Sequence, residues 1–186
     1  MALVKCPKCG NTISDLSTQC VHCGFAIGEF SASIKEAGAN IGRLINQKFQ
    51  DYVNMPVYRL QDIFRNASRV VFGYFRNIYD ENTTGEIYFT LVSNCFASDG
   101  QFGYDEYELL KSYLHMDYSY EATRQILLHF FDHNDIEQVD RMITAAPQNV
   151  RIAVSELCIS AAAIDGTITV EEKNWCMKYL VMSFNK

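Results

Sequence analysis

Leu91-Val92-Ser93-Asn94-Cys95-Phe96-Ala97-Ser98-Asp99-Gly100-Gln101-Phe102 is matched, at a shift of 66 residues, by Leu157-Cys158-Ile159-Ser160-Ala161-Ala162-Ala163-Ile164-Asp165-Gly166-Thr167-Ile168. Leu91, Ala97, Asp99 and Gly100 fall on identical residues. Continuing the register puts Glu106 on Glu172, Tyr113 on Tyr179 and Leu114 on Leu180. Self-similarity at a fixed shift marks a repeated supersecondary unit. Each copy reads as an apolar helix, a tight Asp-Gly turn, one buried apolar residue (Phe102 or Ile168) and a second helix. Two such hairpins can pack about a pseudo-twofold axis.

Working outward, the same helical grammar continues. After Met55-Pro56, the residues Leu60, Ile63, Phe64, Ala67, Val70, Val71, Phe75 and Ile78 keep the spacing of one helix face to about Tyr79. Asn82-Thr83-Thr84-Gly85 reads as a break. Apolar helical segments follow at roughly 86–98, 105–115, 119–131, 135–144, 148–164 and 170–183, and no stretch sustains strand-like alternation. The expected fold class is mainly α, with a body at 56–186 of about seven helices. Residues 28–55 read as a linker, partly helical, because Ile34, Ile41, Ile45 and Phe49 fall near one face. Gly38 and Gly42 weaken that helix by about 1 kcal/mol each relative to alanine.

Residues 1–27 obey a different rule. Cys6-Pro7-Lys8-Cys9-Gly10 and Cys20-Val21-His22-Cys23-Gly24 are two Cys-x-x-Cys-Gly knuckles. Two such pairs at short separation are the ligand set of a closed tetrahedral Zn²⁺ site. A two-residue spacer lets both sulfurs of a pair bend onto one ion, and Gly10 and Gly24 allow the turn after each pair. Pro7 stiffens the first knuckle. A segment this short cannot bury enough apolar surface to fold unaided, so the metal supplies its stability. A redox reading needs one pair beside a βαβ unit, which is not what the sequence offers. Cys6, Cys9, Cys20 and Cys23 are therefore the expected zinc ligands, with His22 a solvent-facing loop residue. This segment resembles the zinc-ribbon modules at the N-terminus of many bacterial proteins.

The repeated motif carries a second resemblance. An apolar helix ending in Ala-x-Asp-Gly, an apolar residue two after the glycine and a glutamate six after it is similar to the TerB-like domain, the helical domain of the tellurite-resistance protein B family. The resemblance covers roughly residues 56–186, with Ser98 and Ile164 standing where alanine is common in that family. It implies a divalent-cation site (Ca²⁺, Mn²⁺ or Mg²⁺) at Asp99, Glu106, Asp165 and Glu172.

The residues themselves leave that site open. Set as calcium loops, each copy offers Cys95 and Ala97, or Ala161 and Ala163, where carboxylates are needed, so a metal requires both copies to converge. The alternative is local. Thr169-Val170-Glu171-Glu172 is a capping box, Gly103-Tyr104-Asp105-Glu106 a weaker one, and the aspartates can bond loop amides.

Composition bounds the rest. Residues 1–50 carry a net charge of +2, residues 51–80 carry +1 and residues 81–186 carry −9, giving the overall −6. An acidic C-terminal body disfavours nucleic acid as a partner. No apolar stretch reaches membrane length. The N-terminus lacks the apolar core of a signal peptide, so a cytoplasmic protein is expected. Cys95, Cys158 and Cys176 read as buried small hydrophobes of a reducing compartment.

His129 and His133 share a helix face but lack further ligands, and the tyrosines around 104–120 read as core and rim packing. No catalytic constellation is visible. The expectation is a non-enzymatic zinc protein that meets another protein, an adaptor or sensor in a bacterial stress response to tellurite or metals. The alternatives are a zinc-ribbon regulator associated with nucleic acid and a metal-dependent hydrolase at the carboxylates.

Overall fold

The computed structural model describes residues 3–6, 8–14, 19–24, 27–96, 102–114, 118–133 and 135–184, with the backbone alone at 3, 4, 27–39 and 114. Pro7 and residues 97–101, where the first Asp-Gly turn is expected and Asp99 lies, are outside the described residues. The chain divides into two compact units, residues 1–48 and 49–186.

The first unit opens with two short antiparallel strands, β1 (Leu3–Lys5) and β2 (Thr12–Ser14), paired Leu3 to Ser14, Val4 to Ile13 and Lys5 to Thr12. Its small core joins Cys6, Ile13 and Cys20, with Cys23 packed against them. Among the described residues, Ile13 is the one side chain of that cluster that is not a cysteine. Helix α1 (Ile27–Val53) follows, and the division between the units falls within it.

The regular structure of the second unit is all helical among its described residues, and after the end of α1 it comprises α2 (Val57–Arg76), α3 (Glu81–Phe96), α4 (Tyr104–Leu114), α5 (Tyr120–His133), α6 (Ile136–Ala145), α7 (Gln148–Ala162) and α8 (Val170–Phe184). These are the seven helices the periodicity predicts. Helix α2 is amphipathic, burying Leu60, Phe64, Ala67, Val71 and Phe75 at three- and four-residue steps. It packs on α7, α7 packs on α8, and α3 packs on α5.

Two helices are buried on nearly every side. In α3 the run Leu91–Phe96 is buried without interruption, and in α7 so is the run Leu157–Ala162. A 66-residue shift carries one run onto the other. The same shift carries the end of α3 (Phe96) onto the end of α7 (Ala162), and the start of α4 (Tyr104) onto the start of α8 (Val170). The repeat in the sequence is thus a repeat of structure, with the first helix of each copy in the core.

One expectation is corrected. Asn82-Thr83-Thr84-Gly85 does not break the chain but forms the first turn of α3. The cause is Asp80, whose Oδ1 accepts from the amides of Asn82 at 2.9 Å and Thr83 at 3.0 Å, while Thr83 Oγ1 donates to Oδ2 at 2.6 Å. An aspartate cap satisfies the free amides of a helix start and overrides weak propensity behind it. The Thr83 hydroxyl and amide hold the Asp80 carboxyl below its ordinary range.

Candidate metal centre

The two knuckles are built alike. Gly10 and Gly24 both take φ +73°, a backbone conformation that favours glycine. The Gly10 amide donates to Cys6 O at 2.8 Å, and the Gly24 amide donates to Cys20 O at 2.9 Å. Each knuckle is tied in: the Cys6 amide donates to Asn11 O at 2.8 Å, and Gln19 Nε2 donates to Gly24 O at 2.8 Å. Cys6 and Cys20 are buried, Cys23 is half-buried and Cys9 is exposed.

These turns bring the four Sγ atoms within 4.8 Å of one another. Across the knuckles, Cys6 faces Cys23 and Cys9 faces Cys20, both at 3.7 Å. Sulfurs bound tetrahedrally at about 2.3 Å from one ion lie about 3.8 Å apart. The measured edges match that figure and are far longer than a disulfide bond of about 2.05 Å. The donor set therefore fits a metal ion, and four thiolates at this spacing suit zinc.

The local field favours thiolate. Burial pushes the Cys6 thiol up, but the amides of Cys9 and Lys8 and the thiols of Cys20 and Cys9 outweigh it, and the group is lowered to about 6. Asn11 Nδ2 donates to Cys9 Sγ at 3.5 Å and supports a second ligand. Asn11 and Gln19 are positioning residues that the cysteine spacing alone does not reveal. His22 is exposed.

The acidic motif residues are occupied locally. Glu172, which is 8% exposed, accepts through Oε2 from the Thr169 amide at 2.7 Å and from Thr169 Oγ1 at 2.9 Å. The Glu172 amide donates back to Thr169 Oγ1 at 3.2 Å, which closes a capping box at the start of α8. Glu106 makes half of that box, accepting from the Gly103 amide at 2.5 Å. Asp165 accepts from the Thr167 amide at 2.8 Å and from Thr167 Oγ1 at 3.0 Å, while Gly166 turns at φ +86°. Asp99, the fourth residue of the set, is not described. Among the described residues, the four cysteines are the one group of three or more His, Cys, Asp or Glu side chains close enough to share an ion.

The remaining candidates make local contacts. His129 and His133 stack at 4.5 Å, and His133 Nδ1 lies 3.0 Å from His129 O, a contact within the last turn of α5. Tyr107 donates to Tyr118 O at 2.8 Å, and Tyr120 donates to Phe102 O at 2.5 Å while its ring stacks on Phe102. This aromatic knot fixes Phe102, the apolar residue of the first copy of the motif. Among the described residues no helix is long and apolar enough to cross a membrane.

Comparison with family models, with curated proteins and with solved structures gives no match.

Proposed function

We propose that the chain is a non-enzymatic zinc protein, in which a ribbon at residues 1–27 is joined through the segment 28–55 to a TerB-like helical body at 56–186. It acts as an adaptor or sensor in a stress response of the tellurite or metal kind. The observation that carries the metal part is the spacing of the four sulfurs, 3.7 Å across each opposed pair and within 4.8 Å throughout. A closed four-thiolate set leaves no coordination position for a substrate, which favours structure over catalysis. The TerB-like reading is supported by the twice-occurring Asp-Gly…Glu motif and by helix ends that repeat at the same 66-residue shift. In this reading Glu106 and Glu172 cap helices and Asp165 holds a turn, so no second cation is assigned to these three.

Elemental analysis of the purified full chain tests the metal part, with one zinc per chain expected. The absence of zinc after expression and desalting in zinc-containing medium would sink it. Deleting the gene from its host tests the process, with loss of tellurite or metal tolerance expected. Unaltered tolerance to both would remove the stress assignment while leaving the zinc site standing.

A further inference from the structure

Cys95 and Cys158 take no part in the metal centre. Cys95 lies on α3, in the first repeat, and Cys158 lies on α7, in the second. Both are buried, at 2% and 0% exposure, and Cys95 Sγ donates to Cys158 Sγ at only 3.0 Å. Bonded sulfurs sit about 2.05 Å apart, so the pair needs to close by about 1 Å to be joined. Packing does not demand sulfur at these sites. The 66-residue shift sets Cys95 on Ala161 and Cys158 on Val92, so the sister repeat fills each position without a thiol.

One side chain stands between Cys95 and an open cleft. Trp175 Nε1 donates to Cys95 Sγ at 3.4 Å, and the half-buried indole lines an open cleft of about 460 Å³ with Asn94, Phe131, Glu171, Asn174 and Lys178. One face of the environment of Cys95 is thus a side chain that itself meets the cleft.

We infer that Cys95 and Cys158 are a redox modification site, forming a reversible disulfide between the two repeats when the protein meets a small hydroperoxide that enters this cleft. Cys95 sulfur attacks one peroxide oxygen, the O–O bond breaks, and the thiol proton leaves with the other oxygen as water. Cys158 sulfur then attacks Cys95 sulfur, the S–O bond breaks, and the hydroxyl leaves as a second water with the Cys158 proton. Two thiols are oxidised by two electrons in all, and one hydrogen peroxide is reduced to two waters. Burial, followed by the bond from Cys95, pushes the Cys158 thiol well above its ordinary range, so it parts with its proton during attack and not before. That makes the Cys158 thiol slower to react than an exposed one, while contact with the indole that lines the cleft places Cys95 as the first to meet the peroxide.

The test is peptide mapping without reduction, on the full zinc-loaded chain treated with hydrogen peroxide, quenched, denatured and alkylated. A peptide linking Cys95 to Cys158 is expected, lost on adding dithiothreitol. Emission from Trp175, the single tryptophan, is expected to change in step. Cys95→Ala and Cys158→Val, which install the sister repeat's residues, should each abolish the linked peptide and the emission change together. Separately alkylated Cys95 and Cys158 in a sample whose zinc-site cysteines are already oxidised would overturn the inference, and so would pairing of either residue with Cys176 instead.

Discussion

Replacing Glu172 decides whether the repeated acidic motif is a cap or a cation site. Its carboxylate is almost fully buried and accepts two hydrogen bonds from Thr169, one from the amide and one from the hydroxyl. Glu172→Ala removes both and leaves the Thr169 amide without that acceptor. At about 1 kcal/mol for each net bond, plus part of the 1–3 kcal/mol penalty for a stranded donor, the expected loss is about 2–3 kcal/mol. Glu172→Gln keeps an oxygen that can accept from the same amide, since glutamine also serves in a capping box, and should cost about 1 kcal/mol or less. Thr169→Ala deletes the hydroxyl end of the box and should cost about 1 kcal/mol.

Because the two side chains act on each other, the double variant should cost less than the sum of the singles, with a coupling of about 1 kcal/mol. Urea unfolding followed by helical circular dichroism measures the parent and the four variants, and an unchanged slope would show that the unfolded state is not the cause. The same series with millimolar calcium, manganese or magnesium supplies the opposite answer. A cation bound to the native state raises stability with concentration, and Glu172→Gln would abolish that rise. Glu172→Gln as damaging as Glu172→Ala, absent coupling to Thr169, or a cation-dependent gain in the parent protein would each refute the capping argument.

Four further outcomes follow from the same geometry. Cobalt(II) in place of zinc should show thiolate charge-transfer absorbance that holds at pH 8 and falls as pH drops below about 6, because protons compete for a Cys6 thiol lowered to about 6. Loss of the band between pH 8 and 7 would contradict this, and in either case the helical signal of the second unit should persist. Gly166→Ala should destabilise the second unit by about 1–2 kcal/mol in urea, a purely conformational cost, since an added Cβ there meets nothing within 4 Å while φ is +86°. Gly103→Ser should stabilise by about 0.5 kcal/mol, because an added Cβ sits an ordinary 3.5 Å from Glu106 Oε2 and the hydroxyl completes the weaker box; a loss measured in the same assay would show that the first copy tolerates only glycine. Oxidation of Cys95 and Cys158 should raise stability by about 4 kcal/mol, the chain-entropy value for a closure spanning 63 residues, so an oxidised protein that unfolds at the same urea concentration as the reduced one would count against a strain-free bond.

What the sequence made legible depended on whether a residue acts through its neighbours along the chain or across the fold. The knuckles are local. Cys-x-x-Cys-Gly contains both the ligands and the glycine whose φ makes the turn, so the cluster could be named before any coordinates. The helices of the body were legible because apolar residues keep a helical period, as Leu60, Phe64, Ala67, Val71 and Phe75 do in α2, and because the repeat relates α3 to α7 and α4 to α8. The misreading at Asn82–Gly85 has a physical origin: weak helix formers were weighed without the aspartate two residues earlier, whose side chain supplies what their propensity lacks. Long-range relations left no such mark. Cys95 and Cys158 are 63 positions apart, and apolar periodicity gives both a place in the core without saying that they meet.

The repeat makes that meeting intelligible. Its first helices, α3 and α7, are the two buried runs of the body, and a small residue at each crossing lets buried helices approach closely. Alanine would serve at one of these positions and valine at the other, as Ala161 and Val92 do in the sister copies. Cysteine serves equally well as a small hydrophobe, and it adds a chemistry that alanine and valine do not have. The fold should therefore not depend on the sulfur pair, and conversion to the sister residues is expected to leave a folded protein, checked by its urea midpoint, in which the redox inference can be judged on its own.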